Sequence, residues 1–175
     1  MNANPAREGA ILKVRPIGVI RTEFLAAVGT PIQPVYADDS RGEVWLDEAY
    51  AAALDDIEEF ERVWLLYWLD RAGGFRPRVV PYRDTREHGV FATRAPCRPN
   101  PLGLSVVRVL RREGRVLHVA GVDILDGTPL LDLKPYVPEF DAFPMSRAGW
   151  FESSGEDRRI ADDRYHKDTE HGAGD

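Results

Sequence analysis

In TRAPCRPNPLGLSVV (93–107), Arg94 and Arg98 stand four residues apart, and Asn100 adds an amide that both donates and accepts hydrogen bonds. Prolines at 96, 99 and 101 separate them. Proline fixes its own φ and restricts the residue before it, so the segment 95–101 is expected to be extended and stiff. A stiff loop presents charged groups without first losing conformational freedom. Gly103 then permits a close backbone approach just as a strand pattern begins. This suits capture of an anionic or acceptor-rich ligand. A crossover loop whose arginines pair with acids elsewhere is the competing explanation.

A second polar stretch, DILDGTPLLDLKPY (123–136), crowds Asp123, Asp126, Thr128, Asp132 and Lys134 onto a short strand, turn and strand. Asp-Gly alone signals only a hairpin turn. With its neighbours it offers Asp126 as an acceptor for ribose hydroxyls, and Thr128 with the Gly127 amide for an adenine edge. An acid here also suits a positively charged ligand such as a sulfonium.

Other chemical toolkits are missing. No GxGxxG follows a strand pattern, no P-loop occurs, and strands and helices do not alternate, which speaks against a Rossmann nucleotide site. No His and Cys group has metal spacing, and His166 and His171 sit in a polar acidic tail, so no metal site is expected. Ser105 falls inside a strand pattern rather than in a nucleophile elbow. Arg94 and Arg98 would lower the pKa of Cys97, yet no His is near in sequence, and a plain loop cysteine is expected. His88 and His118 read as ordinary residues beside and within strands.

Strands must position these groups. ILKVRPIGVIRT (11–22) reads as a strand edged at Pro16, GEVWLD as a short strand and FERVWLLYWLD (60–70) as the most apolar one. Between the first two lies a loop with prolines at 31 and 34 and a turn near Asp39. GVFATR (89–94) gives another short strand. Val107 and Val109 precede, and Leu117 and Val119 follow, a tight turn at Glu113 and Gly114. DGTP turns the chain into LLDLKPYVP. Seven to eight strands with one or two helices define a mainly β class, a small closed or nearly closed barrel. DEAYAAALDDIEEF (47–60) is the helix of the first half, with Tyr50, Leu54 and Ile57 on one face and Asp47 as N-cap.

The 175 residues suffice for one domain with its own core. The expected division is an N-terminal extension over 1–10, a barrel domain over 11–151 and a loosely packed polar tail over 152–175, without internal repeats. The longest apolar run, VWLLYWL, is too short to span a membrane, and MNANPAREG lacks a signal core. With a single cysteine, this fits a cytoplasmic protein. Net charge is −6, but residues 71–115 carry eleven arginines against three acids, and 38–61 ten acids against one arginine. Either these segments neutralise each other in space or the first makes a local positive site.

GVFATRAPCRPNPLGLSVVRVL and GVDILDGTPLLDLKPYVPEFD, with PIGVIRTEF, TPIQP, FERVWLLYWLD and GGFRPRVVPYR in the same order, resemble the TsaA-like family over about residues 16–141. These are S-adenosylmethionine-dependent tRNA adenosine methyltransferases. The resemblance implies a small non-Rossmann β-barrel and a homodimer binding S-adenosylmethionine near the subunit interface. It implies as substrate the threonylcarbamoylated adenosine 3′ of the anticodon in tRNA, methylated on its exocyclic nitrogen. By motif, Pro31, Ile32 and Gln33 match the first cofactor loop, and Asp70 and Arg71 a second contact. Arg94 and Leu104 flank the proline loop, while Leu125, Asp126, Gly127 and Thr128 match the turn beside the cofactor. Two departures are visible: Asp70 and Arg71 replace a His-Gln pair of some bacterial members, and the C-terminal domain of longer members has only the tail after Glu152 as its counterpart.

Methyl transfer from a sulfonium is an in-line displacement, helped by alignment and exclusion of water. The attacking nitrogen is urea-like and must lose a proton, so Asp126 is the first candidate acceptor or sulfonium neighbour. Lys134 and Tyr136 are candidates to polarise the carbonyl. Arg76, Arg78, Arg83, Arg94 and Arg98 are candidates for phosphates of the tRNA anticodon loop. Tyr82 or Phe91 would stack on an exposed base, with core packing as the alternative. Neither a membrane nor DNA is expected as a partner. A methyltransferase acting on a small molecule or protein, and a non-enzymatic S-adenosylmethionine-binding regulator, are the other classes. Steep salt dependence of RNA binding separates the first from both.

Overall fold

The structure is a computed structural model that describes residues 12–37 and 40–165. The N-terminal extension, Asp39 of the expected turn, and His166 and His171 lie outside these residues.

Alternation of apolar and polar side chains builds eight strands: β1 (Gly18–Thr22), β2 (Arg41–Leu46), β3 (Arg62–Trp68), β4 (Arg78–Val79), β5 (His88–Gly89), β6 (Leu102–Glu113), β7 (Val116–Ala120) and β8 (Thr128–Pro135). Six of them close an antiparallel barrel in the order β1-β2-β7-β6-β3-β8, and β4 pairs with β5 apart from it. Along β3, Val63, Leu65 and Tyr67 point inward while Trp64, Leu66 and Trp68 face outward. Ile20, Val44, Val63, Leu65, Val107, Leu117, Val119 and Leu130 are wholly buried, so the barrel is filled rather than hollow. Each such side chain stabilises the fold by about 1.5–3 kcal/mol on leaving water. The β6–β7 hairpin closes where expected, with Glu113 opposite Val116 and Gly114 at a φ of 59°.

Three expectations change. The 47–60 segment forms 3-10 turns, Glu48–Leu54 and Ile57–Glu59, rather than an α-helix. Asp56 breaks it at a φ of 64°, and Asp47 caps without a side-chain hydrogen bond. Leu54 and Ile57, on either side of that break, still pack on the barrel core. GVFATR is a 3-10 turn at Val90–Ala92 after the two-residue β5, because Val90 turns into a second apolar cluster. The tail is not loose throughout. Ile160 bridges Pro31, and Tyr165 is buried against Val79, Val90, Ala95 and Cys97. One aromatic ring completing a cluster outweighs the polar average of its neighbours.

Candidate active site

Two adjoining cavities lie outside the barrel core. The smaller, of about 330 Å³, is lined by Pro31, Leu69, Asp70, Arg71, Asp123, Leu125 and Thr128 among others. The larger, of about 1310 Å³, is lined by Tyr36, Arg62, Trp64, Arg83, Phe91, Arg108 and Trp150 among others. Ile32, Gln33, Tyr82, Thr93, Arg94, Pro96 and Leu104 face both, so the proline loop is their common wall.

The wall holds its shape through its own hydrogen bonds. Thr93 Oγ1 donates to the Val90 carbonyl at 2.9 Å and accepts from the Ala95 amide at 3.2 Å. Arg98 turns back and donates to the carbonyls of Val90 and Thr93, at 3.0 and 2.9 Å. Arg94 instead reaches across the cavities to Gln33 Oε1 at 2.5 Å. Cys97 is buried, and burial raises its thiol pKa, which makes it a packing residue.

An unforeseen polar chain faces the smaller cavity. Ser105 donates to Asp123 Oδ1 at 2.6 Å, and the Tyr67 hydroxyl lies 3.0 Å from Ser105 Oγ. Ser105 has one proton and gives it to Asp123, so Tyr67 donates to Ser105. Burial pushes the Asp123 carboxyl up to about 6, against the Ser105 hydrogen bond and the Arg94 charge. Burial and then the Asp123 charge push the Tyr67 phenol up as well, which keeps it a donor. Gly103 makes room for this chain. It pairs with Tyr67 across β3 and β6, and a Cβ there would stand 2.0 Å from the Tyr67 ring. The sequence signal was a glycine and a serine in the row of β6 that continues with Val107 and Val109.

Arg71 ties the end of β3 to the 125–128 turn, donating to the Asp126 carbonyl at 2.7 Å and to Thr128 Oγ1 at 3.1 Å. Its Nε is buried without a hydrogen-bond partner, with Asp70 Oδ1 at 3.5 Å. Asp126 lines neither cavity. Its Oδ1 accepts from the Thr22 amide at 3.0 Å, with Arg21 Nε at 3.3 Å. The Gly127 amide donates to the Ile20 carbonyl at 2.8 Å and so is not free for an adenine edge. Lys134 is paired with Asp132 at 2.7 Å, and Tyr136 packs on Trp64 with ring centroids 5.8 Å apart. The six residue steps of extended strand from Thr128 to Lys134 span about 20 Å, so Asp126, Lys134 and Tyr136 are not gathered around one point.

The arginines divide similarly. Arg83 lines the larger cavity, donating to the Tyr36 hydroxyl at 2.7 Å and lying 5.0 Å from the centre of the Phe151 ring. Arg76 donates to the Arg164 carbonyl, and exposed Arg78 lies near Glu87; neither lines a cavity. Arg62 and Arg108, opposite one another on β3 and β6, line it unforeseen. Arg112 and Arg115 meet Asp55 and Glu48 at 2.8 and 3.5 Å. The acidic segment thus meets the hairpin arginines, while at the larger cavity Arg62 lies 3.7 Å from Glu61 and Arg83 3.4 Å from Asp157. Phe91 is 74% exposed, whereas Tyr82 packs edge-on against Tyr165. Among the described residues no group of three or more His, Cys, Asp or Glu could hold a metal ion, and no helix is long and apolar enough to cross a membrane.

Residues 19–142 match the tRNA-methyltransferase O N-terminal domain. The chain belongs to this family. It is 50% identical over 140 residues to a probable S-adenosyl-L-methionine-binding protein of Pyrococcus abyssi, covering 80% of this chain and 76% of that one. It is 36% identical over 148 residues to the tRNA (adenine(37)-N6)-methyltransferase of Escherichia coli, covering 79% of this chain and 63% of that enzyme. The crystal structure of TrmO from Pseudomonas aeruginosa matches with a TM-score of 0.68 at 40% identity, covering 80% of this chain and 62% of that one. The chain therefore spans less than two thirds of these last two proteins. The tRNA-methyltransferase O domain match contains the smaller cavity except Ala161, whereas Ala148, Trp150, Phe151 and Tyr165 of the larger one lie beyond it.

Proposed function

We propose that the chain is an S-adenosylmethionine-dependent methyltransferase acting on the exocyclic nitrogen of threonylcarbamoyl-adenosine beside the anticodon of tRNA, as a cytoplasmic homodimer. The observation that carries this is the shared wall: a small cavity with an acid and guanidinium groups adjoins a wide cleft of aromatic rings and arginines. S-adenosylmethionine bears a carboxylate, an ammonium and a sulfonium beside an adenosine. Arg71 and Arg94 fit the anion, Asp123 a cation, and Leu69, Leu104 and Leu125 the apolar surface. The residues fit the group. Gln33, Arg71, Arg94, Asp123 and Thr128 would hold it. When bound, it supplies a methyl group on a positively charged sulfur.

The chain's own part is positioning. The stapled 93–98 loop fixes where the cavities adjoin, so a base in the larger faces a methyl donor in the smaller. Phe91, Tyr82 and Trp150 offer faces for an unstacked base, and Arg62, Arg83 and Arg108 offer charge for phosphates. Dimer formation is supported by outward apolar residues of the same sheet that do not line the larger cavity, Leu66, Trp68 and Leu102.

The test is transfer of labelled methyl groups from S-adenosylmethionine to two tRNA pools, one bearing the threonylcarbamoyl modification and one from cells unable to make it. Label in the modified pool alone is expected. Folded, cofactor-binding protein that labels neither pool would point to a small-molecule substrate or a regulatory role.

A further inference from the structure

Asp123 is a half-buried acid on the smaller cavity, and the reading above gives it a cation without saying which one. Its carboxylate receives one side-chain hydrogen bond, from Ser105. The charged and titratable groups around it are Tyr67 on β3, Arg94 in the proline loop, and Asp70 and Arg71 after β3. Tyr67 is a neutral donor to Ser105. Arg94 is engaged by Gln33, and Arg71 by Asp70 and the 126–128 turn. No described cation forms an ion pair with Asp123 itself. A partly desolvated carboxylate that feels the Arg94 charge but forms no ion pair with it is unfavourable when ionised, and a cation delivered into the cavity reverses that. Tyr67 and Ser105 fix one carboxylate oxygen, so the group has a set direction before anything binds.

We propose that Asp123 is the counter-charge to the sulfonium of the bound methyl donor and makes the site prefer the charged donor over its neutral product. This rests on the S-adenosylmethionine reading above. When the methyl–sulfur bond breaks, the electron pair stays on sulfur and the product is an uncharged thioether. Asp123 then loses its partner and is costlier to keep ionised with the product bound than with the donor bound. The same acid thus tightens the donor and loosens the spent cofactor. Asp126, already held by Thr22 and Arg21, does not share the task.

The experiment is calorimetric titration of the whole chain with S-adenosylmethionine and S-adenosylhomocysteine, which differ only in the methyl group and its charge. Wild type and Asp123→Asn are compared from about pH 5 to about pH 7.5, the range in which a carboxylate shifted to about 6 titrates. In wild type the affinity ratio of donor to product should rise as pH climbs through about 6 and then level off. At the upper end Asp123→Asn should lower that ratio about tenfold, the equivalent of one pKa unit. A wild-type ratio that stays flat with pH overturns the assignment, and needs no folded variant. Equal weakening of both ligands by Asp123→Asn also overturns it, by moving the acid to a part the two share. If wild type binds neither ligand, the cofactor reading fails and this inference fails with it.

Discussion

Arg94 and Arg98 are the same residue type, four apart, yet they do different work. Arg98 spends its guanidinium on the loop's own carbonyls, while Arg94 meets only the side chain of Gln33 between the cavities. Arg98→Ala should therefore lower folding stability by about 1–3 kcal/mol, because it strands buried carbonyls. Arg94→Ala should leave the unfolding midpoint close to wild type and weaken S-adenosylmethionine at least about tenfold, as loss of a charge-assisted contact does. Denaturant unfolding beside calorimetric titration separates them; identical profiles would erase the distinction. Nothing in the sequence tells the two apart, since the direction in which a side chain leaves an irregular loop is set by distant contacts. Asp123 adds a pH signature. Its folded pKa of about 6 lies above the unfolded value near 4, so its contribution to stability is full below about 4 and fades as pH rises through about 6. Without ligand, Asp123→Asn should gain on wild type over that window, by up to about 3 kcal/mol. Parallel stability–pH curves for the two proteins would contradict it.

At the scale of elements, the period of two made the barrel readable. Val107, Leu117 and Val119 were legible by alternation and the 113–114 turn by its glycine, whereas the unbroken run VWLLYWL left open which residues of β3 face inward. Where segments are short and apolar residues irregular, pattern yields to tertiary demand: GVFATR has strand composition, but Val90 is needed in the second cluster. Gly103 sits where element and site meet. Its pairing with Tyr67 leaves no space for a side chain, as the Cβ contact of 2.0 Å falls on ring carbons. Gly103→Ala should cost about 1–3 kcal/mol through overpacking and should shift Tyr67 off Ser105. Gly89→Ala, whose Cβ meets nothing within 4 Å and whose φ is −58°, is the matched control and should be near neutral. Unfolding of both variants decides it; comparable losses would mean that glycine flexibility rather than the close approach matters at 103.

Over the whole molecule, charge and the folded-back tail decide what the cleft can take. The polar composition of the tail points to loose packing, yet the Gly29 amide donates to the Ala161 carbonyl, Ile160 bridges Pro31, and Tyr165 seals the cluster behind the shared wall. The overall charge of −6 argued against a polyanionic partner until the acidic segment was found to pair with Arg112 and Arg115 on the hairpin. Arg62, Arg83 and Arg108 line the larger cavity, beside Phe91 and Trp150. A single-stranded loop bound there releases counterions for each phosphate neutralised, which lowers log affinity by about 0.7 per decade of salt per contact. Arg62 is the cleanest probe, since its ion-pair partner Glu61 lies 3.7 Å away and is mostly exposed. Arg62→Gln should flatten the salt slope of tRNA binding by about one contact's worth, with S-adenosylmethionine affinity unchanged. Binding that ignores ionic strength in wild type would mean the cleft reads its partner by stacking and shape, and the arginines would then belong to the fold alone.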